Sequence, residues 1–165
     1  MVNPPVMHAL WDASGPAFVA AVHGLGGGVW IGAVAFNLFV LTPRARAWFQ
    51  KEGEHEDFVF SIVHGLRWPV LAGALSVVGT GIWRWRGALA HASEPWAALM
   101  LAKLACACIT LGLFAWVTVG LWPRRAFATE EELPAIRRLF FRVGVGIVAS
   151  NTFAAALGVL ASRVR

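Results

Sequence analysis

The sequence has few charged residues. Asp, Glu, Lys and Arg make up 14% of its 165 residues, against about 25% in a typical soluble domain. Fifty-eight per cent of the residues are apolar, and the mean hydropathy is +0.65. So few charges could not cover the surface of a free-standing soluble domain, and so much apolar surface excludes a disordered chain. We therefore expect an integral membrane protein.

The motifs of soluble enzymes are also missing from the sequence. It has no phosphate-binding glycine loop after a strand, no metalloprotease pair of histidines and no nucleophile elbow. The net charge of +5 could suggest a nucleic-acid partner. The basic residues lie between apolar runs, however, which indicates membrane topology instead. We expect no nucleic-acid partner.

Long runs with little or no charge define four spans. No charged residue lies between Ala13 and Pro43, and the three later runs carry one each, at Arg67, Lys103 and Arg142. Each run exceeds the roughly 20 residues that cross about 30 Å of hydrocarbon, and such apolar segments cross as helices. Their short connections predict an all-α, up-down-up-down four-helix bundle in a single membrane domain. The predicted core spans are residues 17–41, 59–83, 96–122 and 139–161.

The basic residues also predict an orientation. Seven lie in the connections that follow spans one and three, and four lie on the other side. By the positive-inside rule, these two connections face the cytoplasm and both termini lie on the outer side of a bacterial-type inner (plasma) membrane. The segment Met1–Pro16 has no Lys or Arg, so we expect the first span to be retained rather than cleaved as a signal peptide.

Ionisable side chains within the spans are the candidate functional residues, because each costs roughly 2.5–3.5 kcal/mol to insert. His23 and Lys103 lie six and seven residues into their spans from the predicted outer side, at a similar depth. His64 and Arg67 lie one turn apart near the predicted cytoplasmic side. Simpler interpretations are a hydrogen-bonded His23, a snorkelling Lys103, a solvated His64 and an Arg67 paired with lipid phosphate.

One face of span one is organised. His23, Trp30 and Asn37 are seven residues apart, so they lie within about 40° of one another on a helix. A glycine stripe at spacing four runs from Gly24 to Gly32. Such a stripe predicts close helix packing, and it could equally leave room for a flat macrocycle.

The sequence shows one weak internal echo. Val-His-Gly-Leu occurs at residues 22–25 and again at 63–66. Four residues are too few to establish a duplication, and the remainder of spans one and two does not align.

Copper ligands are scarce. Cys106 and Cys108 are two apart and point to different faces of a helix, so they can neither chelate one ion nor form a disulfide. Copper(I) sites use several soft ligands, and the chain has only three methionines. An outer copper route would have to use His8, His23 and His91.

Haem b agrees better with the pattern, since histidines on the helices of a bundle are common haem ligands. His23 and His64 are expected roughly 13 Å apart along the bilayer normal, which is too far for them to share one iron. They therefore predict either two sites or one haem with a single histidine, whose sixth ligand could be Lys103, water or nothing.

The stretch from His23 through Trp30 to Gly32, followed by an apolar run that closes at Leu41-Thr42-Pro43, resembles the first span of the copper-resistance protein D (CopD)-like superfamily. Lys103 in span three and Asn151 in span four also resemble it. This superfamily includes the HemJ-type protoporphyrinogen oxidases, membrane proteins of four or five helices that are thought to bind haem b and in which a His and a Lys matter. The resemblance implies that His23 and Lys103 are those two residues.

Together, these patterns predict an inner-membrane protein that binds haem b and transfers electrons with quinone or another redox protein. Oxidoreductase activity stays open. Two alternatives also stay open: a copper transport or resistance protein, and a non-catalytic accessory subunit of a larger membrane complex or homo-oligomer. The predicted site residues are His23 and His64 as metal ligands, Lys103 as a second ligand or proton-handling group, and Arg67, Trp30 and Asn151 as cofactor contacts.

Overall fold

The computed structural model describes the backbone of residues 4–88 and 93–164 and the side chains of residues 14–86 and 93–164. Every regular element within these residues is helical. Spans one and three are each interrupted by a π-helical segment, whereas spans two and four are single α-helices. The elements are α1 (Pro4–Phe36), π1 (Asn37–Leu41), α2 (Thr42–Trp48), α3 (Glu52–Ala88), α4 (Glu94–Trp116), π2 (Val117–Leu121), α5 (Trp122–Ala126) and α6 (Leu133–Ala161).

Four helical stretches are long and apolar enough to cross a membrane. Only 11% to 28% of the residues in their most apolar windows are buried inside the protein, so most of the apolar surface faces outwards, as contact with lipid requires. The predictions of an all-α fold and of a multi-pass membrane protein are confirmed. Each predicted core span lies inside one of the stretches Ser14–Trp48, Glu52–Arg86, Glu94–Ala126 and Leu133–Ala161.

The two π segments lie just before Pro43 and Pro123. A proline within a helix has no N–H to donate, and its ring clashes with the carbonyl four residues earlier. A π turn widens the helix at that point, so that the helix continues past the proline. In each segment the residue before the proline donates its N–H to the carbonyl five residues back, Thr42 to Asn37 and Trp122 to Val117.

The described chain packs as two compact units. The first contains residues 4–30 and 68–88, and the second contains residues 31–67 and 93–164. In the first unit α1 and α3 run antiparallel, as the contacts of Gly26 with Gly73 and of His23 with Thr80 show. In the second unit parts of all four spans pack together. Its core consists of Leu121, Phe140, Val143 and Ile147, with residues such as Val34, Leu113 and Ile136 packed against them.

The acidic run Glu130–Glu132, together with Arg137 and Arg138, favours a solvated loop or a short surface helix. In the structure the acidic run forms a turn before α6, whereas both arginines lie within α6. The carboxylate of Glu132 accepts hydrogen bonds from the backbone N–H (3.0 Å) and the hydroxyl (3.1 Å) of Thr129. These hydrogen bonds favour the ionised form, so they lower the pKa of Glu132 below its usual range. The turn therefore fixes the start of α6.

The closest helix crossing in the first unit is between Gly26 and Gly73. A Cβ on Gly73 would lie 2.8 Å from the carbonyl oxygen of Gly26, and a Cβ on Gly26 would clash with the Ser76 hydroxyl. The glycine stripe itself behaves differently from the predicted close packing. A Cβ on Gly24, Gly28 or Gly32 would meet no described atom within 4 Å.

Replacement of Gly73 by alanine should destabilise the protein by about 1–3 kcal/mol, the usual range for overpacking, because α1 and α3 must move apart. Gly28→Ala is the matched control, since its new methyl group meets open space. Reversible unfolding in mixed detergent micelles measures the free energy of unfolding of the two variants and of the wild-type protein. Equal stability of the two variants would contradict a tight crossing at Gly73.

Candidate functional site: a histidine in the first unit and a charged cluster in the second

His23 is fixed by a hydrogen bond to Thr80. Its Nδ1 lies 2.8 Å from Thr80 Oγ1 across the α1–α3 seam. The ring is half-buried, and its Cε1 lies 3.6 Å from the position that a Cβ on Gly81 would take. The small Gly81 therefore allows the imidazole to lie against α3, and Thr80 sets its orientation.

Thr80 also makes a hydrogen bond within its own helix. A hydroxyl has one hydrogen to donate, and Thr80 Oγ1 donates it to the Ser76 carbonyl. In the tautomer of His23 that carries its proton on Nδ1, the Thr80 oxygen accepts from that N–H. This is the arrangement in which a histidine ligates a metal through one ring nitrogen while a neighbour holds the other N–H.

Trp30, predicted to contact a cofactor, lies in the packed α1–α3 seam. It is 3% exposed, and its backbone N lies 3.5 Å from the position of a Cβ on Gly73. Trp30 is therefore buried beside the Gly73 crossing, two helical turns along α1 from His23, and its cofactor contact stays a prediction.

Lys103 and Asn151 lie in the second unit, in the seam between α4 and α6. The Lys103 Nζ lies 3.0 Å from the position that a Cβ on Gly158 would occupy, so this glycine provides the space for the amine. Asn151 is half-buried, and its Nδ2 is buried without a hydrogen-bond partner among the described residues. The structure thus brings these two predicted site residues into one seam.

His64 and Arg67, predicted to form the inner part of the site, have exposed side chains, and so has Arg142. The ring of His64 lies beside Phe60, with centroids 6.1 Å apart. The structure assigns His64 and Arg67 to the second unit and His23 to the first. Of the two predicted histidine ligands, only His23 has a described hydrogen bond that orients its ring.

Sequence reasoning missed a charged cluster where α3, α5 and α6 meet. Glu56 accepts hydrogen bonds from Arg125 Nε (2.6 Å), Arg125 Nη2 (3.1 Å) and Arg137 Nε (2.9 Å). Arg137 also pairs with Glu52. The Arg125 side chain is only 5% exposed, and the bidentate geometry makes its pair with Glu56 strong. The cluster ties the start of α3 to α5 and α6.

His55 is the buried histidine of this cluster, at 1% exposure. Its Nδ1 lies 3.3 Å from Glu56 Oε1, and the Thr42 backbone lies beside the ring. Neither ring nitrogen makes a hydrogen bond of good geometry within the described chain.

Glu52, His55 and Glu56 offer ligand atoms within 4.8 Å of one another, the spacing of a metal site. Both carboxylates already accept from guanidinium groups, however. A divalent cation would have to displace those groups or bind beside two positive charges, which costs more than it gains at low dielectric. The arrangement therefore fits a structural network better than a metal centre.

A cleft of about 220 Å³ opens beside the cluster, between the start of α3 and α5. Its polar residues are Glu56, Asp57 and Arg125, and its apolar wall is Phe60 with Trp122. The charges of Glu56 and Arg125 are paired with each other, and Asp57 is the other charged residue of the lining.

A sequence signal for this cluster does exist. Glu52, His55 and Glu56 have helical spacing, and the pairs Arg124-Arg125 and Arg137-Arg138 flank the predicted loop between spans three and four. Complementary charges at the same ends of four spans predict interhelical pairs. The predicted topology used these arginines only as orientation signals. His91 and the side chain of His8, needed for the copper alternative, lie outside the described residues.

Comparisons with known proteins return no relative: no family model matches the chain, and neither a curated protein nor a solved structure matches it. The resemblance to the CopD-like superfamily therefore stays a prediction from the sequence.

Glu56→Gln should destabilise the protein by about 3 kcal/mol, because it leaves the mostly buried Arg125 guanidinium without its counter-ion and leaves Arg137 with Glu52 alone. Glu54→Gln is the matched control, since the pair of Glu54 with Lys51 is exposed and such pairs contribute roughly 0–1 kcal/mol. Thermal unfolding of the three proteins in the same detergent measures the difference. A Glu56→Gln protein as stable as Glu54→Gln would contradict the structural role.

Proposed function

We propose that the protein binds haem b in the membrane through His23 and exchanges electrons with quinone or another redox protein. The carrying observation is the hydrogen bond between His23 Nδ1 and Thr80 Oγ1, which orients the imidazole against α3. Ligating histidines generally have their second ring nitrogen held by such a neighbour.

The residues around His23 fit such a group in their chemistry. The donor is an imidazole on a membrane helix, and Thr80 provides its second-sphere hydrogen bond. Gly24 and Gly28 leave one face of α1 free of side chains, which suits a flat macrocycle. Haem iron, when bound, supplies one-electron transfer. The protein's own residues supply the ligand, its orientation and an apolar surround.

Within this proposal His23 is the single histidine ligand. His64 is exposed, and no described hydrogen bond orients its ring. Lys103 remains the proposed proton-handling group, since an amine at this depth is rarely without a function. Its placement against Gly158 supports a defined position for the amine.

His23→Ala should abolish the α-band of the reduced-minus-oxidised visible spectrum, because the iron loses its protein ligand. Thr80→Val should keep the band but weaken haem binding by roughly 10- to 100-fold, the usual effect of losing a second-sphere partner. His64→Ala is the control and should retain the wild-type spectrum. Haem titration of purified apoprotein gives the affinities.

An unchanged spectrum in His23→Ala would contradict the assignment of the ligand. A wild-type protein that stays colourless after expression with ample haem would contradict haem binding altogether. Bound copper in that sample would favour the copper alternative, and loss of assembly without any metal would favour the accessory-subunit alternative.

We also propose that the end of the protein that carries the Glu56 cluster faces the cytoplasm of a bacterial-type inner membrane. Seven basic residues in the two connections at this end support that orientation. Arg125 and Arg137 are paired with acidic residues, but Asp and Glu contribute little to the positive-inside rule.

Single cysteines report this orientation directly, once Cys106 and Cys108 have been replaced by alanine. A membrane-impermeant maleimide should label Glu94→Cys in intact cells, and should label Glu130→Cys only after permeabilisation. Both positions are exposed. The reverse pattern would show that the protein is inserted the other way round.

A further inference from the structure

The second half of the chain repeats the helical hairpin of the first half. The π segments begin at Asn37 and Val117, 80 positions apart, and each is followed by a Pro-Arg pair. Residues of spans one and three therefore correspond at a separation of 80. Burial agrees, since Leu41 and Leu121 are both buried at equivalent positions.

Contacts between the helices repeat in the same way. His23 lies against Gly81 in the first hairpin, and Lys103 lies against Gly158 in the second. The two glycines are 77 positions apart. Gly26 corresponds to Cys106 at the separation of 80, and Gly73 corresponds to Ser150 at the separation of 77. The carbonyl of Gly26 lies against Gly73, and the carbonyl of Cys106 accepts a hydrogen bond from Ser150 (3.0 Å). The predicted echo between residues 22–25 and 63–66 is therefore not the repeat that the structure contains.

The two hairpins differ in polarity at their most buried positions. The first hairpin places Trp30 (3% exposed) and Ala74 (7%) where the second places Thr110 (0%) and Asn151. Gly73 likewise corresponds to Ser150. An aromatic ring and a methyl group are thus replaced by a smaller hydroxyl and an amide, in a segment that crosses the membrane.

In the seam of the second hairpin, two polar atoms are buried without hydrogen-bond partners in the described part of the chain: Thr110 Oγ1 and Asn151 Nδ2. Buried polar groups in folded proteins are almost always satisfied by protein or by ordered water. In hydrocarbon the penalty for leaving them unsatisfied is larger than in a soluble core.

The register of the seam places these two atoms near one another. Contacts of Cys106 with Ser150 and of Leu113 with Gly146 bracket Thr110 on α4. Asn151 directly follows Ser150, so it lies within about one helical turn of Thr110 along the seam. Both lie on the buried faces of their helices, since Ile147 and Ala154 on either side of Asn151 are buried.

We propose that the seam between α4 and α6 holds a buried water site, built from the Thr110 hydroxyl and the Asn151 amide. A hydroxyl that accepts and donates, together with an amide N–H that donates, provides the two or more partners that a buried water needs. The Ser150 hydroxyl lies next to Asn151 and lines the same seam. In the first hairpin the position equivalent to Thr110 is filled by the indole of Trp30.

This site does not depend on haem binding. It extends the polar row of the second hairpin from Lys103 into the depth of the membrane, on the face that α4 turns towards α6.

Water-selective NMR tests the proposal in isotope-labelled protein in bicelles. The Asn151 side-chain amide should show a cross-peak to water rather than to lipid methylenes. Thr110→Val should reduce that cross-peak at least threefold, because the water loses one of its partners. Thr118→Val is the matched control on the same span, since the Thr118 hydroxyl is satisfied by the Phe114 carbonyl, and it should leave the cross-peak unchanged.

A wild-type Asn151 amide that shows no water cross-peak would overturn the site even if Thr110→Val failed to fold. A cross-peak that survives unchanged in folded Thr110→Val would also overturn it, because the water would then be held elsewhere. Both results are independent of haem, since the apoprotein is used.

Discussion

Every backbone hydrogen bond within the hydrocarbon must be made inside the protein, and this constraint shapes the whole chain. It restricts the spans to helices, and a proline within a helix interrupts the hydrogen bonding because it has no N–H to donate. At Pro43 and Pro123 the problem is solved by a π turn rather than by a helix end. Beyond each proline the helix continues as α2 or α5, and α5 carries Arg125 of the charged cluster.

The same constraint explains how much of the fold could be predicted. Apolar length and the scarcity of charge locate four helices, because a membrane leaves no other structure for such segments. The π turns lay beyond prediction, since a proline is compatible with a kink, an end or a bulge. The burial of His55 could not be predicted from the sequence either, because it depends on which helix faces pack against each other.

The candidate site illustrates a second limit. His23 could be chosen from the sequence because an ionisable group at membrane depth is costly. Its partner Thr80 could not, since a threonine within a helix usually bonds to its own backbone, and Thr80 does that as well. His64 has the same sequence context as His23, yet its side chain is exposed. Packing, and not residue type, distinguishes the two histidines.

The repeated hairpin gives the polar residues a common frame. His23 and Lys103 occupy equivalent positions, each beside a glycine of the following helix. The first copy keeps an apolar seam with a tight glycine crossing, whereas the second has Ser150, Asn151 and Thr110 in its seam. The same helical hairpin thus carries a histidine, His23, in its first copy, and a lysine, Lys103, beside a polar seam in its second copy.

The most direct test of the account is the haem content of the purified wild-type protein, measured as pyridine haemochrome with iron and copper quantified on the same sample. The account predicts about one haem b and one iron per chain, as a single histidine ligand implies. Absence of haem and iron after expression with ample haem would contradict it.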